Sequence, residues 1–191
     1  MISVIPARKG SKGVINKNFR MIPKINICLV DLTILQALLS KKFQKVIVTC
    51  DYDFIPNEKI RKYLDSSVNV VRRPPELAQD SSPVEDAILH LIQEDHIRPT
   101  DRMCLLQPTS PMRTPNIISQ AISYFEMEGS PVTGITEVGD KHPARMYEKS
   151  ESGLSRIYGN AATRRQDLSK IYYKYFHVKN FSQYFSNVAA L

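Results

Sequence analysis

Four cations and a hydroxyl are crowded into Arg8-Lys9-Gly10-Ser11-Lys12-Gly13 and Lys17-Asn18, directly after the apolar run Ile2-Ser3-Val4-Ile5-Pro6. A strand that empties into a basic, glycine-bearing loop suits a polyphosphate: backbone N–H groups approach the oxygens while Arg8, Lys12 and Lys17 supply countercharge. Gly10 and Gly13 are free to take positive φ, which helps the backbone turn toward such a ligand. The spacing is not a Walker A loop, since Val14 stands where a lysine would follow the second glycine, and it is not the dinucleotide fingerprint. On composition alone, a phosphate loop and an ordinary basic surface turn stand as equal readings.

Three more stretches carry polar side chains just after apolar runs: Val48-Thr49-Cys50-Asp51, Arg72-Arg73-Pro74-Pro75-Glu76-Leu77-Ala78-Gln79-Asp80, and Leu105-Leu106-Gln107-Pro108-Thr109-Ser110-Pro111-Met112-Arg113. Asp51 reads either as a carboxylate approaching a magnesium ion or as a turn cap. Asp80 reads as a cap for a helix beginning near Ser82. Arg113 reads equally as a bidentate partner for a substrate carboxylate and as a surface arginine at a helix start. His90, His96, His142 and His177 have no metal-ligand spacing, and no nucleophile elbow is present. Cys28, Cys50 and Cys104 are odd in number and set among apolar residues, which predicts reduced core thiols and a cytoplasmic setting.

These residues need a scaffold, and the chain's 191 residues, 42% of them hydrophobic, suffice for one domain with a sizeable core. Twenty-six Lys and Arg against nineteen Asp and Glu give +7, an excess that fits an anionic ligand and falls short of a nucleic-acid-binding tail. No apolar run has the length of a bilayer span, and no signal-peptide pattern opens the chain, so neither membrane insertion nor secretion is expected. Strand-length apolar runs recur at Ser3–Pro6, Lys45–Thr49, Asn69–Val71, Met103–Gln107 and Pro131–Glu137. Helical periods lie between them: Val30–Ser40, with Leu32, Leu35, Ala37, Leu38 and Leu39 as its apolar face, a weaker Asn57–Ser66, Pro83–Asp95 capped by Ser82, and Thr114-Pro115 to about Glu128. Such alternation predicts an α/β fold, a mostly parallel sheet with helices on both faces, whose ligand sits at the carboxyl ends of the strands. After Glu137 the rhythm breaks, and 138–175 reads as a dimerisation or sugar-contacting element within the single domain 1–191.

The motifs in this order and spacing, from Ile-Pro-Ala-Arg-Lys-Gly-Ser-Lys-Gly through Lys17-Asn18 to Gln-Pro-Thr-Ser-Pro, resemble the acylneuraminate cytidylyltransferases, the CMP-sialic acid synthetases, over roughly residues 1–171. The resemblance implies a nucleotide-diphospho-sugar transferase-like fold, a homodimer, Mg²⁺ as cofactor, and the joining of CTP to a sugar acid with release of pyrophosphate. It implies that Arg8, Gly10, Ser11, Lys12, Gly13, Lys17 and Asn18 bind triphosphate and nucleoside, and that Arg73, Glu76 and Leu77 line the base and ribose. Gln107, Thr109, Ser110, Arg113, Arg145, Arg165 and Gln166 would hold the sugar acid, with Arg165 and Gln166 acting across a dimer. Arg8, Lys17 and Gln107 would carry the chemistry by stabilising charge on the leaving pyrophosphate and positioning the reactants.

The match departs from the family pattern late. Where an Asn-Gly-containing strand is expected the chain reads Tyr172-Tyr173-Lys174-Tyr175-Phe176-His177, and no Asp-x-Asp segment follows. Because triphosphate chemistry normally needs a divalent ion, activity is in question at this stage. Three readings stand open: a short form using another carboxylate such as Asp51, a truncated or frame-altered product, and a non-catalytic nucleotide-binding relative. Among enzymes, legionaminic or pseudaminic acid is the alternative acceptor.

Overall fold

The computed structural model describes residues 1–11, 13–64, 66–137, 147–150, 153–156 and 172–180. They fall into two compact units, the first within Met1–Thr133 and Phe176–Leu191, the second within Gly134–Tyr175. The apolar runs become strands β1 (Ile2–Ala7), β2 (Lys45–Cys50), β3 (Val68–Arg72), β4 (Arg102–Leu105) and β5 (Val132–Glu137), with β8 (Tyr172–Asn180) completing a six-stranded sheet of order β3-β2-β1-β4-β8-β5. β1 pairs in parallel with β2 and β4, and β2 with β3. β8 runs antiparallel to β4, Leu105 facing His177. In the second unit, β6 (Tyr147–Ser150) and β7 (Gly153–Arg156) form an antiparallel ribbon, Tyr147 opposite Arg156.

Strands buried on both faces explain why the runs are continuously apolar. On one face Val4, Ile47, Val71, Met103 and Leu105 pack with Ile88 and Leu91 of helix α3 (Val84–Gln93) and with Ile97. The alternate residues Ser3, Ile5, Val46, Val48, Cys50 and Cys104 are also fully buried, and α1 (Leu29–Ser40) packs on β1, β2 and helix α4 (Pro115–Glu128). The chain leaves β1 for β2 and β3 on one side, then crosses to β4 on the other. That reversal makes the carboxyl ends of β1 and β4 the switch point at which open α/β sheets bind ligands.

The helices differ from expectation in instructive ways. α4 starts as predicted, with Thr114 Oγ1 accepting from Ile117 N–H and Pro115 in the first turn. α1 does not bury the leucine face read from its period: Leu39 is 47% exposed, while Asp31, Thr33, Gln36 and Ser40 are buried. Those polar side chains are used. Thr33 Oγ1 and Ser40 Oγ donate to carbonyls one turn back, and Gln36 Nε2 donates to the carbonyls of Pro111 and Arg113. The helix expected over Asn57–Ser66 shrinks to α2 (Glu58–Arg61), because Ile60 alone is buried and Tyr63 stays 41% exposed, leaving no apolar stripe to hold another turn. Ser82 does not cap α3, whose N-cap is Pro83. It is spent on a 3₁₀ turn at Pro75–Ala78 that the sequence did not reveal, accepting from Gln79 N–H and donating to the Glu76 carbonyl.

Asp31 ties the scaffold to the loops. Its Oδ2 accepts from Cys28 N–H, closing a capping box on α1, and its Oδ1 accepts from Asn57 N–H. Replacing this buried carboxylate by alanine leaves both N–H groups without it, so Asp31→Ala should lower unfolding free energy by about 2–4 kcal/mol in urea denaturation. A loss under about 0.5 kcal/mol, the range of an ordinary surface change, would contradict this role.

Candidate active site

Three strand ends meet around a 240 Å³ pocket lined by Arg8 after β1, Arg73 after β3, Gln107 and Thr109 after β4, together with Asn18 and Leu77. Six of the residues singled out by motif therefore converge, though up to 101 positions separate them (8 to 109). Arg73 is 5% exposed; its backbone N–H donates to the Cys50 carbonyl and its guanidinium Nη2 to the Ala7 carbonyl, so the residue links the ends of β2 and β1. Burial pulls its pKa below the usual arginine value, the Asp51 charge opposes that, and Arg8 adds repulsion. Asn18 is 6% exposed and donates from Nδ2 to the Arg8 carbonyl. Asn18 Oδ1 and Arg73 Nε are buried without a hydrogen-bond partner among the described residues.

The first loop divides its cations. Arg8 lines the pocket and pairs with Asp80, Nη2 to Oδ1 at 2.5 Å, whereas Lys9 turns away to lie 4.4 Å over the Tyr52 ring. Asp80, expected as a helix cap, thus reaches the site as the counterion of Arg8. Asp51 Oδ1 accepts from Lys9 N–H, tying this loop to the end of β2. Gly10 and Gly13 do not take positive φ; the loop's left-handed residue is Asn16, at 54°. Ser11, Gly10, Gly13 and Lys17 belong to the same loop without lining the pocket, and Lys12 lies outside the described residues.

Glu76 is exposed and away from the lining; Ser110 is half-buried and also away from it. Arg113 is 3% exposed, which removes the surface reading; its Nη1 donates to the Gln107 carbonyl at 2.8 Å, fixing the loop that carries Gln107 and Thr109. Arg145, Arg165 and Gln166 lie outside the described residues. The sequence missed Gln79, Ser82 and Asp80 as pocket residues, although all three adjoin the Arg73–Leu77 motif.

A larger groove of 760 Å³ lies between residues 15–21 and 52–57, floored by Phe19, whose ring is 5.4 Å from Tyr52 and 5.5 Å from Phe54. Both oxygens of Asp31 on its wall already accept backbone N–H groups. The smaller pocket is the candidate site because it gathers the strand ends. Among the described residues no three His, Cys, Asp or Glu side chains stand together as a metal cage, and no helix is long and apolar enough to cross a membrane.

The three cysteines are free and buried. Burial pushes the Cys28 and Cys104 thiols up to about 12, and raises Cys50. None is a thiolate at neutral pH, so thiol catalysis is not the chemistry here. Native protein at pH 8 should react negligibly with Ellman's reagent and all three thiols should react after denaturation. Because the folded thiols hold their protons above the unfolded value of 9.0, their contribution to stability is full below pH 9 and is lost as pH climbs toward 12. Fast native labelling would contradict both statements.

A cytidylyltransferase family model matches residues 2–188. An N-acylneuraminate cytidylyltransferase of Streptococcus agalactiae serotype V is 31% identical over 179 residues, 90% of this chain and 41% of that protein. A CMP-N,N'-diacetyllegionaminic acid synthase of Legionella pneumophila is 31% identical over 143 residues, 74% of this chain and 60% of its own length. The chain thus spans less than two-thirds of the curated relatives it matches. A solved structure of CMP:2-keto-3-deoxy-manno-octonic acid synthetase complexed with CTP superposes with TM-score 0.65 at 15% identity, covering 100% of this chain and 77% of that one. That likeness extends over the whole chain and is one of fold: a mostly parallel sheet with helices on both faces.

Proposed function

The chain belongs to the cytidylyltransferase family, and on that premise we propose that it transfers a cytidylyl group from CTP to a sialic-acid-like sugar acid, giving the CMP-sugar and pyrophosphate. The observation that carries this reading is the convergence of Arg8, Asn18, Arg73, Leu77, Gln107 and Thr109 on one pocket at the strand ends. In the reaction the anomeric hydroxyl oxygen of the acid bonds to the α-phosphorus while the bond to the bridging oxygen of pyrophosphate breaks, and the hydroxyl proton is lost. Arg8 would meet the phosphates, where a fixed cation stabilises charge growing on the leaving group. Asn18 and Arg73 would meet the nucleoside's polar edge from the pocket wall. Gln107 and Thr109 would face the acceptor from a loop that Gln36 and Arg113 hold in place. Their contribution is orientation.

Mg²⁺ belongs to the proposal as an ion carried by the triphosphate, since magnesium is commonly held by one or two carboxylates plus substrate phosphates. Asp51, at the end of β2, would be the protein's carboxylate toward it, and the ion would neutralise phosphate charge. A cytoplasmic setting accords with three buried, reduced thiols, and a homodimer with the family resemblance. The acceptor is proposed as sialic-acid-like from the streptococcal relative's name, and legionaminic acid is the second acceptor because a relative of similar identity is named for it.

Pyrophosphate release from CTP should require both Mg²⁺ and a sugar acid. Arg8→Ala should lower kcat/KM at least about 100-fold, the scale of losing a charge-stabilising group. CTP binding without turnover across sialic, legionaminic and pseudaminic acids would favour a nucleotide-binding relative over an enzyme. An Arg8→Ala variant with unchanged CTP affinity would overturn the phosphate assignment.

A further inference from the structure

Asp80 lines the pocket and yet has no part in the nucleotide reading above. Its side chain and that of Arg8 are each about one-third exposed, 37% and 31%, and meet across the pocket from loops fixed independently. On one side the Arg8 carbonyl accepts from Asn18 and the neighbouring Lys9 N–H is held by Asp51. On the other, Ser82 Oγ brackets Asp80, accepting from Gln79 N–H at 3.2 Å and donating to the Glu76 carbonyl at 2.8 Å. A polyphosphate entering this pocket finds its principal cation already engaged by an internal anion. Arg73 adds a second cation beside the first, since Arg8 lies close enough to repel it.

We propose that Asp80 is a positioning residue for Arg8 and its built-in competitor: it holds the guanidinium over the pocket before the nucleotide arrives and yields it to the phosphates on binding. The inference rests on the reading of this pocket as a nucleotide site. An ion pair this exposed is weak enough for a multiply charged phosphate to displace. A carboxylate left beside phosphate oxygens repels them, so the residue that orders Arg8 also holds affinity down.

The test is calorimetric binding of inorganic pyrophosphate, and separately of CTP, to the full chain without divalent ions. Asp80→Asn should tighten both about three- to tenfold, while Asp80→Glu, which keeps the carboxylate, should stay within about twofold of the parent. Introduced into an Arg8→Ala background, Asp80→Asn should gain clearly less than in the parent, keeping only what direct repulsion between carboxylate and phosphate contributes. Weaker or unaltered binding by Asp80→Asn, or an equal gain in the Arg8→Ala background, would overturn the inference while leaving the nucleotide reading intact. A purely structural Asp80 would shift the melting temperature and leave affinity alone, which counts against it equally. Parent protein that takes up neither ligand at millimolar concentration would overturn the nucleotide reading, and this inference with it.

Discussion

Arg73 is a cation sealed at the point where the sheet's strand ends converge, and the pocket's other features answer to that placement. A charge taken out of water is costly unless hydrogen bonds and counter-charge replace the solvent. Here the Ala7 carbonyl takes one guanidinium nitrogen and Asp51 supplies opposing charge from the end of β2. The compensation is incomplete: Nε has no hydrogen-bond partner among the described residues, and Arg8 adds like charge. Fixed positive charge at a pocket wall attracts anions, so the electrostatics accord with the ligand class that the motifs suggest.

The loops around Arg73 are fixed by side chain to backbone hydrogen bonds between segments far apart in sequence. Gln36 of α1 grips the carbonyls of Pro111 and Arg113, Asp51 grips Lys9 N–H, and Asp31 joins the start of α1 to Asn57. A pocket assembled from loops gains positional accuracy when rigid elements reach out to hold them. That accounts for the burial of Asp31 and Gln36 on α1, whereas Thr33 and Ser40 are satisfied by carbonyls of the helix itself. Its polar residues brace the site as well as the core.

Much of this was legible in the sequence, and the parts that were not share a cause. The parallel strands announced themselves through Val- and Ile-rich runs, and Thr114-Pro115 announced α4, because those signals are local. The motif residues Arg8, Asn18, Arg73, Leu77, Gln107 and Thr109 were named beforehand and meet in one pocket. The Arg8–Asp80 pair was not foreseen, since it joins positions 72 apart (8 to 80) and the local reading of Asp80 as a cap was adequate by itself. Ser82 was misassigned for the same reason: its spacing to Glu85 imitates a capping box, while the 3₁₀ turn that claims it gives no apolar period. The leucine face of α1 misled because burial there follows hydrogen-bonding need as much as hydropathy.

The central claim is that the smaller pocket at the strand ends, and not the larger aromatic groove beside it, receives the nucleotide. Backbone amide chemical shifts of the ¹⁵N-labelled chain, followed during titration with CTP, test it most directly. The account predicts the largest changes at Arg8, Asn18, Arg73, Leu77 and Gln107, with the amides of Ile15, Tyr52 and Ile55 moving little. Saturable shifts centred on that groove, with Arg73 and Leu77 unmoved, would contradict it.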